Sequence, residues 1–169
     1  MALMLQAGVA DAIKRHGSET YPDECCGALI GRDGVVFSTY ALPNTTEEGP
    51  RRRFRVRPQD YRDAERRAGE GHAELLGFYH SHPDHPAQPS QYDLDHAWPF
   101  FSYIIVAVRE GTPQDMTSWR LRDDRSAFDQ ETLVAASTDE ASQPQQAITG
   151  ERRAATTERP GKLLEEERQ

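Results

Sequence analysis

The run Leu75-Leu76-Gly77-Phe78-Tyr79 passes directly into His80-Ser81-His82-Pro83, and no other stretch constrains the chain as much. A short apolar run of this kind reads as a buried strand. On extended backbone, residues i and i+2 project to the same side, so the imidazoles of His80 and His82 face one point at the strand's end. Any fold for this chain must therefore bring a core strand up to a polar pair able to bind a metal.

Other elements can be placed around that strand. Leu5, Val9, Ala12 and Ile13 recur at helical spacing and predict an amphipathic helix that ends near His16-Gly17, with Gly17 as its cap. After the turn Tyr21-Pro22-Asp23-Glu24, the run Cys25 to Ile30 reads as a buried strand. Arg32-Asp33-Gly34 turns it into a second strand, Val35 to Tyr40. A polar loop from Pro43 to Arg53 precedes a brief strand expected over Phe54 to Arg57. Pro58 suits the first position of a helix through Tyr61, Ala64 and Ala68. Ser90, with Asp93 three residues on, reads as the cap of a short helix. Ser102 to Val108 and Met116 to Arg122 predict two further strands. The mixture of hairpins and long crossovers argues for an α/β or α+β domain around a mixed sheet.

With 169 residues, the chain has room for one domain and a tail. Its hydrophobic share is 36% and its mean hydropathy is −0.80, and apolar residues thin out after Val134. We therefore expect a folded domain over residues 1–135 and a flexible, polar tail over 136–169, with a short helix from Lys162 to Arg168. Cys25 and Cys26 are the only cysteines, which excludes a disulfide framework. No stretch resembles a membrane span or a signal peptide, so a cytoplasmic location is expected. The net charge of −8 argues against general nucleic-acid binding. Against that background Arg51, Arg52, Arg53, Arg55 and Arg57 form a dense basic stretch, a candidate dock for an acidic partner.

The chemistry follows from the donor types. Two histidines and one carboxylate, Asp93, would leave the fourth position of a tetrahedral zinc ion for water, as in catalytic sites. Pro83, Pro86 and Pro89 stiffen the loop that must bring Asp93 back to the histidines. Glu24 stands where a strand opens into an apolar run, a place that can hold a carboxylate with a raised pKa, fit to accept and return a proton. Ser90 can hydrogen-bond to the oxyanion of a tetrahedral intermediate, or serve only as a helix cap.

The pattern His80-x-His82-Pro83 … Pro89-Ser90-x-x-Asp93, with Glu24 upstream, resembles the JAMM motif of the catalytic MPN-domain metalloproteases. Tyr21-Pro22-x-Glu24-Cys25-Cys26-Gly27, Gly77-Phe78-Tyr79-His80 and Ala97-Trp98-Pro99 are similar to the small prokaryotic branch, which includes the CysO-cysteine peptidases. The resemblance spans roughly residues 1–125. It implies a curved mixed sheet flanked by helices, cytidine-deaminase-like in arrangement. It also implies zinc held by His80, His82 and Asp93, with Glu24 as general base and acid and Ser90 assisting. The implied reaction is hydrolysis of a peptide or isopeptide bond after the Gly-Gly terminus of a ubiquitin-fold or sulfur-carrier protein, whose tail could add to a sheet edge. The larger deubiquitinating members carry insertions that dock ubiquitin, and the short stretch from Asp93 to Ser102 implies that the second of these is missing here.

Some nearby residues have plainer readings. Cys25 and Cys26 are expected to pack in the core. His85 is expected to face solvent, and Asp84, Asp95 and His96 to lie around the site or on the surface. Two other functions compete: a non-catalytic MPN scaffold, which the complete ligand set disfavours, and a nucleic-acid role like that suspected for RadC-like proteins, which the net charge disfavours. Zinc deamination lacks its Cys-x-x-Cys ligand pair.

Overall fold

A computed structural model describes residues 2–46, 49–51 and 53–136. In chain order the elements are β1 (Ala2–Leu5), α1 (Val9–Thr20), β2 (Cys26–Arg32), β3 (Val35–Leu42), α2 (Pro58–Glu70), β4 (Glu74–Pro83), α3 (Gln91–His96), β5 (Ser102–Arg109), β6 (Thr112–Leu121) and β7 (Phe128–Ala135). The strands follow one another as β1-β3-β2-β4-β5-β6-β7, and β7 returns to β1 to close the sheet into a barrel. The pairing is mixed: β4–β5, β1–β3 and β1–β7 are parallel, the rest antiparallel.

The strand period of two divides the β4 side chains between two cores. Tyr79 joins Leu29, Ile104 and Val106 in a cluster covered by Val9 and Ile13 of α1. Phe78 joins Cys26, Ala28 and Tyr103 in a second cluster, beneath Ala64 of α2 and Ala97 after α3. His80 and His82 share the parity of Phe78 and so lie on the α2 and α3 side.

The structure differs from the sequence expectations in four places. Leu5 belongs to β1, where Leu3 and Leu5 point inward and Met4 outward, and helix α1 begins only at Val9. That helix continues through Gly17 to Thr20. A Cβ at Gly17 would stand 3.1 Å from the Val108 side chain and 3.3 Å from that of Ser81, so glycine serves close packing here, not termination. Residues 53–57 join no ladder; their backbone is bonded instead by the side chain of Asn44 and by Thr45. Strand β7, unread in the sequence, completes the barrel by pairing with β1, while β1 covers β3 only at Val35 and Val36 and leaves the outer edge of β3 beyond them without a ladder partner among the described residues.

The helix-start reading holds elsewhere. Pro58 opens α2, with Arg57 and Asp60 bonded across its first turn. The polar tail expected from 136 onward, with its helix from Lys162 to Arg168, lies beyond Ala136 and outside the described residues. Among those residues no helix is long and apolar enough to cross a membrane.

Candidate metal centre

The β2–β4 pairing sets the site. Cys26 lies opposite His80 in the register. One step nearer the strand end, the Cys25 N–H donates to Ser81 Oγ at 2.9 Å and the Ser81 N–H donates to the Cys25 carbonyl at 3.1 Å. These bonds hold Glu24 beside the His80-Ser81-His82 end of β4. The Glu24 backbone is fixed as well, its N–H donating to the Pro50 carbonyl at 2.8 Å.

Asp93 comes from the first turn of α3. The Ser90 N–H and hydroxyl both donate to Asp93 Oδ2, at 2.6 and 2.7 Å, and the Asp93 N–H donates back to Ser90 Oγ at 3.1 Å. This capping box turns the carboxylate towards the histidines. The Nε2 atoms of His80 and His82 are 3.1 Å apart, and they lie 3.3 Å from Asp93 Oδ1 and 3.5 Å from Asp93 Oδ2 respectively.

Those three separations test whether a metal fits. Four ligands at ~2.0–2.1 Å around a tetrahedral ion stand about 3.3–3.4 Å from one another, and each pairwise separation is of that size, with the two histidines approaching different Asp93 oxygens. His82 Nδ1 lies 2.8 Å from the Pro86 carbonyl oxygen, which can only accept, so it carries the proton and leaves Nε2 with a lone pair when the ring is neutral. All three side chains are buried, and among the described residues this is the one His/Cys/Asp/Glu group able to hold a metal ion. The donor set fits a metal ion.

Electrostatics follow burial and proximity. Burial raises the Glu24 pKa to about 8, with His82 pulling it down and Asp93 pushing it up less strongly. Burial would also raise Asp93, but His80, His82 and the Ser90 N–H outweigh it and hold the carboxylate well below its usual range. Burial lowers His80. It acts the same way on His82, where Asp93 and the Pro86 carbonyl prevail and the pKa is raised.

The ligand group separates two spaces. Glu24, His82 and Ser90 line an open cleft together with His85, Gln88 and two prolines, Pro86 and Pro89. On the other side His80 and Asp93 border a cavity of about 250 Å3 walled by Phe54, Val56, Tyr92 and Trp98 among others.

Glu24, His80, His82, Ser90 and Asp93 therefore meet at one place. Asp95 does not join them; it is exposed and accepts from Gln91. His96 stacks on Tyr92, and Asp84 accepts from the Tyr21 hydroxyl and the Glu110 N–H in an exposed turn. His85 is exposed on the rim of the open cleft. Cys25 and Cys26 are buried, and burial raises the Cys25 thiol to about 11, which suits packing and not thiolate chemistry. Arg51, Arg53, Arg55 and Arg57 are exposed, Arg53 lying over the Tyr92 ring and Arg57 paired with Asp60 at 2.8 Å; Arg52 lies outside the described residues. Two residues near the site went unread in the sequence, Phe54 against His80 and Asn44 beneath Glu24.

The mixed barrel is the JAB1/MPN fold, shared with a JAB1/MPN domain protein from Archaeoglobus fulgidus (18% identity, TM-score 0.53, covering 79% of this chain and 96% of that one). The chain belongs to the family described as prokaryotic homologs of the JAB domain, whose model matches residues 6–122. It is similar to the CysO-cysteine peptidase of Mycobacterium tuberculosis, at 27% identity over 122 residues (72% of this chain, 84% of that relative). It is also similar to the desampylase of Haloferax volcanii, at 34% identity over 115 residues (62% of this chain, 80% of that relative). A solved protein from Salinibacter ruber is 42% identical, with a TM-score of 0.58, covering 75% of this chain and 86% of that one.

Proposed function

We propose that the protein is a zinc-dependent peptidase of the JAMM type. Its substrate would be a ubiquitin-fold or sulfur-carrier protein, cut at the peptide or isopeptide bond after a C-terminal Gly-Gly, in the cytoplasm. The observation that carries this reading is the convergence of His80, His82 and Asp93 at metal-ligand spacing beside a buried carboxyl group, Glu24. The names of the two curated relatives, a CysO-cysteine peptidase and a desampylase, support the substrate class.

His80, His82 and Asp93 would hold the ion. Zinc, when bound, lowers the pKa of water towards ~7 and polarises a carbonyl. Glu24 would take the proton of the attacking water on its carboxylate and pass it to the leaving amine. Burial serves this role, because a carboxyl with a pKa near neutrality both accepts and releases a proton. Ser90 would turn its hydroxyl from Asp93 towards the developing oxyanion and contribute one hydrogen bond. The exposed Arg51, Arg53 and Arg55, with Arg52 and Arg57, would draw an acidic carrier towards the cleft. The carrier's extended tail would add along a strand edge without a ladder partner, such as that of β3 beyond Val36.

The test is direct. The purified protein is incubated with a sulfur-carrier protein extended beyond its terminal Gly-Gly, with and without chelator, beside Glu24→Gln. Cleavage by wild type alone, abolished by chelation, is expected. An intact fusion in the presence of zinc-loaded wild type would overturn the reading.

A further inference from the structure

The two histidines of the site are held in different ways. His82 has a hydrogen bond from Nδ1 to the Pro86 carbonyl, the usual device that fixes the ring of a metal-binding histidine. His80 has none: its Nδ1 is buried and makes no hydrogen bond among the described residues. The side chain laid flat against it is Phe54, with ring centroids 4.4 Å apart and planes inclined by 27°. His82 meets the same imidazole at 57°, as a tilted neighbour.

Phe54 lies in no helix or strand, so something else must fix it. Asn44 supplies the bonds on both sides. Its Nδ2 donates to the Arg53 carbonyl at 3.0 Å, and its Oδ1 accepts from the Arg55 N–H at 3.2 Å. The Arg55 carbonyl accepts in turn from the N–H and hydroxyl of Thr45, at 3.3 and 2.9 Å. The same Asn44 Nδ2 reaches the Glu24 carbonyl at 3.1 Å. Phe54 thus enters the site on a segment clamped immediately before and after it.

We propose that Phe54 is a positioning residue for His80, and that Asn44 is the clasp that keeps it there. An imidazole free to turn about its Cβ–Cγ bond offers Nε2 to an ion for only a fraction of the time, and the apparent affinity falls by that fraction. Stacking does for His80 what the Pro86 carbonyl does for His82. The loop that carries the arginines is therefore part of the metal centre's scaffold as well as a candidate docking surface. This inference rests on the metal-binding reading above.

The test measures zinc affinity by competition with a chromophoric chelator, together with the visible spectrum of the cobalt(II)-loaded protein. Phe54→Leu keeps an apolar group but loses the flat ring. It is expected to weaken zinc by about tenfold or more, the effect of removing a partner that orients a ligand, and to alter the cobalt spectrum. Phe54→Tyr should restore both. Phe101→Leu removes an aromatic ring from the same core cluster without meeting His80, and should bind as wild type does. Asn44→Asp retains the acceptor for the Arg55 N–H and loses the donation to Arg53, and carries the same expectation should Phe54→Leu fail to fold. Wild-type affinity in Phe54→Leu, or in Asn44→Asp where that variant stands in, overturns the proposal, as does an equal loss in Phe101→Leu. Wild-type protein that takes up no metal overturns this inference and the functional reading together, whereas tight binding that ignores Phe54 overturns this one alone.

Discussion

The backbone N–H of Cys25 ends on the hydroxyl of Ser81, the residue between the two histidines, at 2.9 Å. Both groups are buried, and the bond joins the strand that follows Glu24 to the strand that carries the ligands. Ser81→Ala would leave a buried N–H without its acceptor, a loss worth about 1–3 kcal/mol. Urea unfolding in the presence of chelator should show that loss, since the bond does not depend on an ion. Unchanged stability would mean that the Cys25 N–H finds another partner.

Glu24→Gln keeps the shape of the side chain and removes its capacity to carry a proton. Zinc content should match wild type, while hydrolysis falls by about 10²–10⁴-fold, the usual worth of a positioned acid or base. Metal analysis and single-turnover cleavage of an extended carrier separate the two effects. Loss of zinc together with activity would make Glu24 a ligand instead.

Metal binding should weaken in acid. The ion needs both imidazoles unprotonated, and Asp93 and the Pro86 carbonyl raise the pKa of His82, so protons compete there first. Zinc affinity is expected to drop by about tenfold for each pH unit below that pKa. Competition titrations at pH 7.5 and 5.5 measure it. His82→Ala should reduce zinc stoichiometry at both values, and full occupancy in that variant would remove His82 from the ligand set.

His16 offers a pH dependence outside the metal centre. Burial lowers its pKa, with Glu19 opposing more weakly, and its Nδ1 meets the Tyr79 hydroxyl at 2.8 Å. Above the unfolded value of about 6.5 neither state is charged and His16 is neutral in effect. As pH falls through that value the unfolded chain takes up a proton that the folded chain resists, so stability is lost. His16→Gln should flatten the decline between pH 7 and 5 in chelator-treated protein, as read by urea midpoints. An unchanged slope would assign the decline to other groups.

Much of the centre was legible because its chemistry is local. His80, His82, Ser90 and Asp93 lie within one loop and its flanks, where strand parity and a capping box determine direction. Glu24 was legible as a carboxylate before an apolar strand. Phe54 was not, since its contact with His80 depends on where the Asn44 side chain holds a segment without secondary structure. The strand misread as helix, β1, is four residues long, and Leu5 also stands four residues before Val9, at helical spacing. Strand β7 was missed because Asp129, Gln130 and Glu131 look like loop; Glu131 is in fact buried and accepts from the Ser118 hydroxyl at 2.7 Å. Tertiary pairing outweighed composition there.

Barrel closure also orders events in time. Strand β1 meets β3 over two register pairs but β7 over four, so most of its ladder waits for the strand made last. During synthesis β1 must remain available until β7, about 130 residues further along, has emerged, and contacts across so long a loop form slowly. In that interval Leu3 and Leu5 lack their final cover. The nascent domain is most exposed to chaperones and proteases then, before β1 is sealed in place.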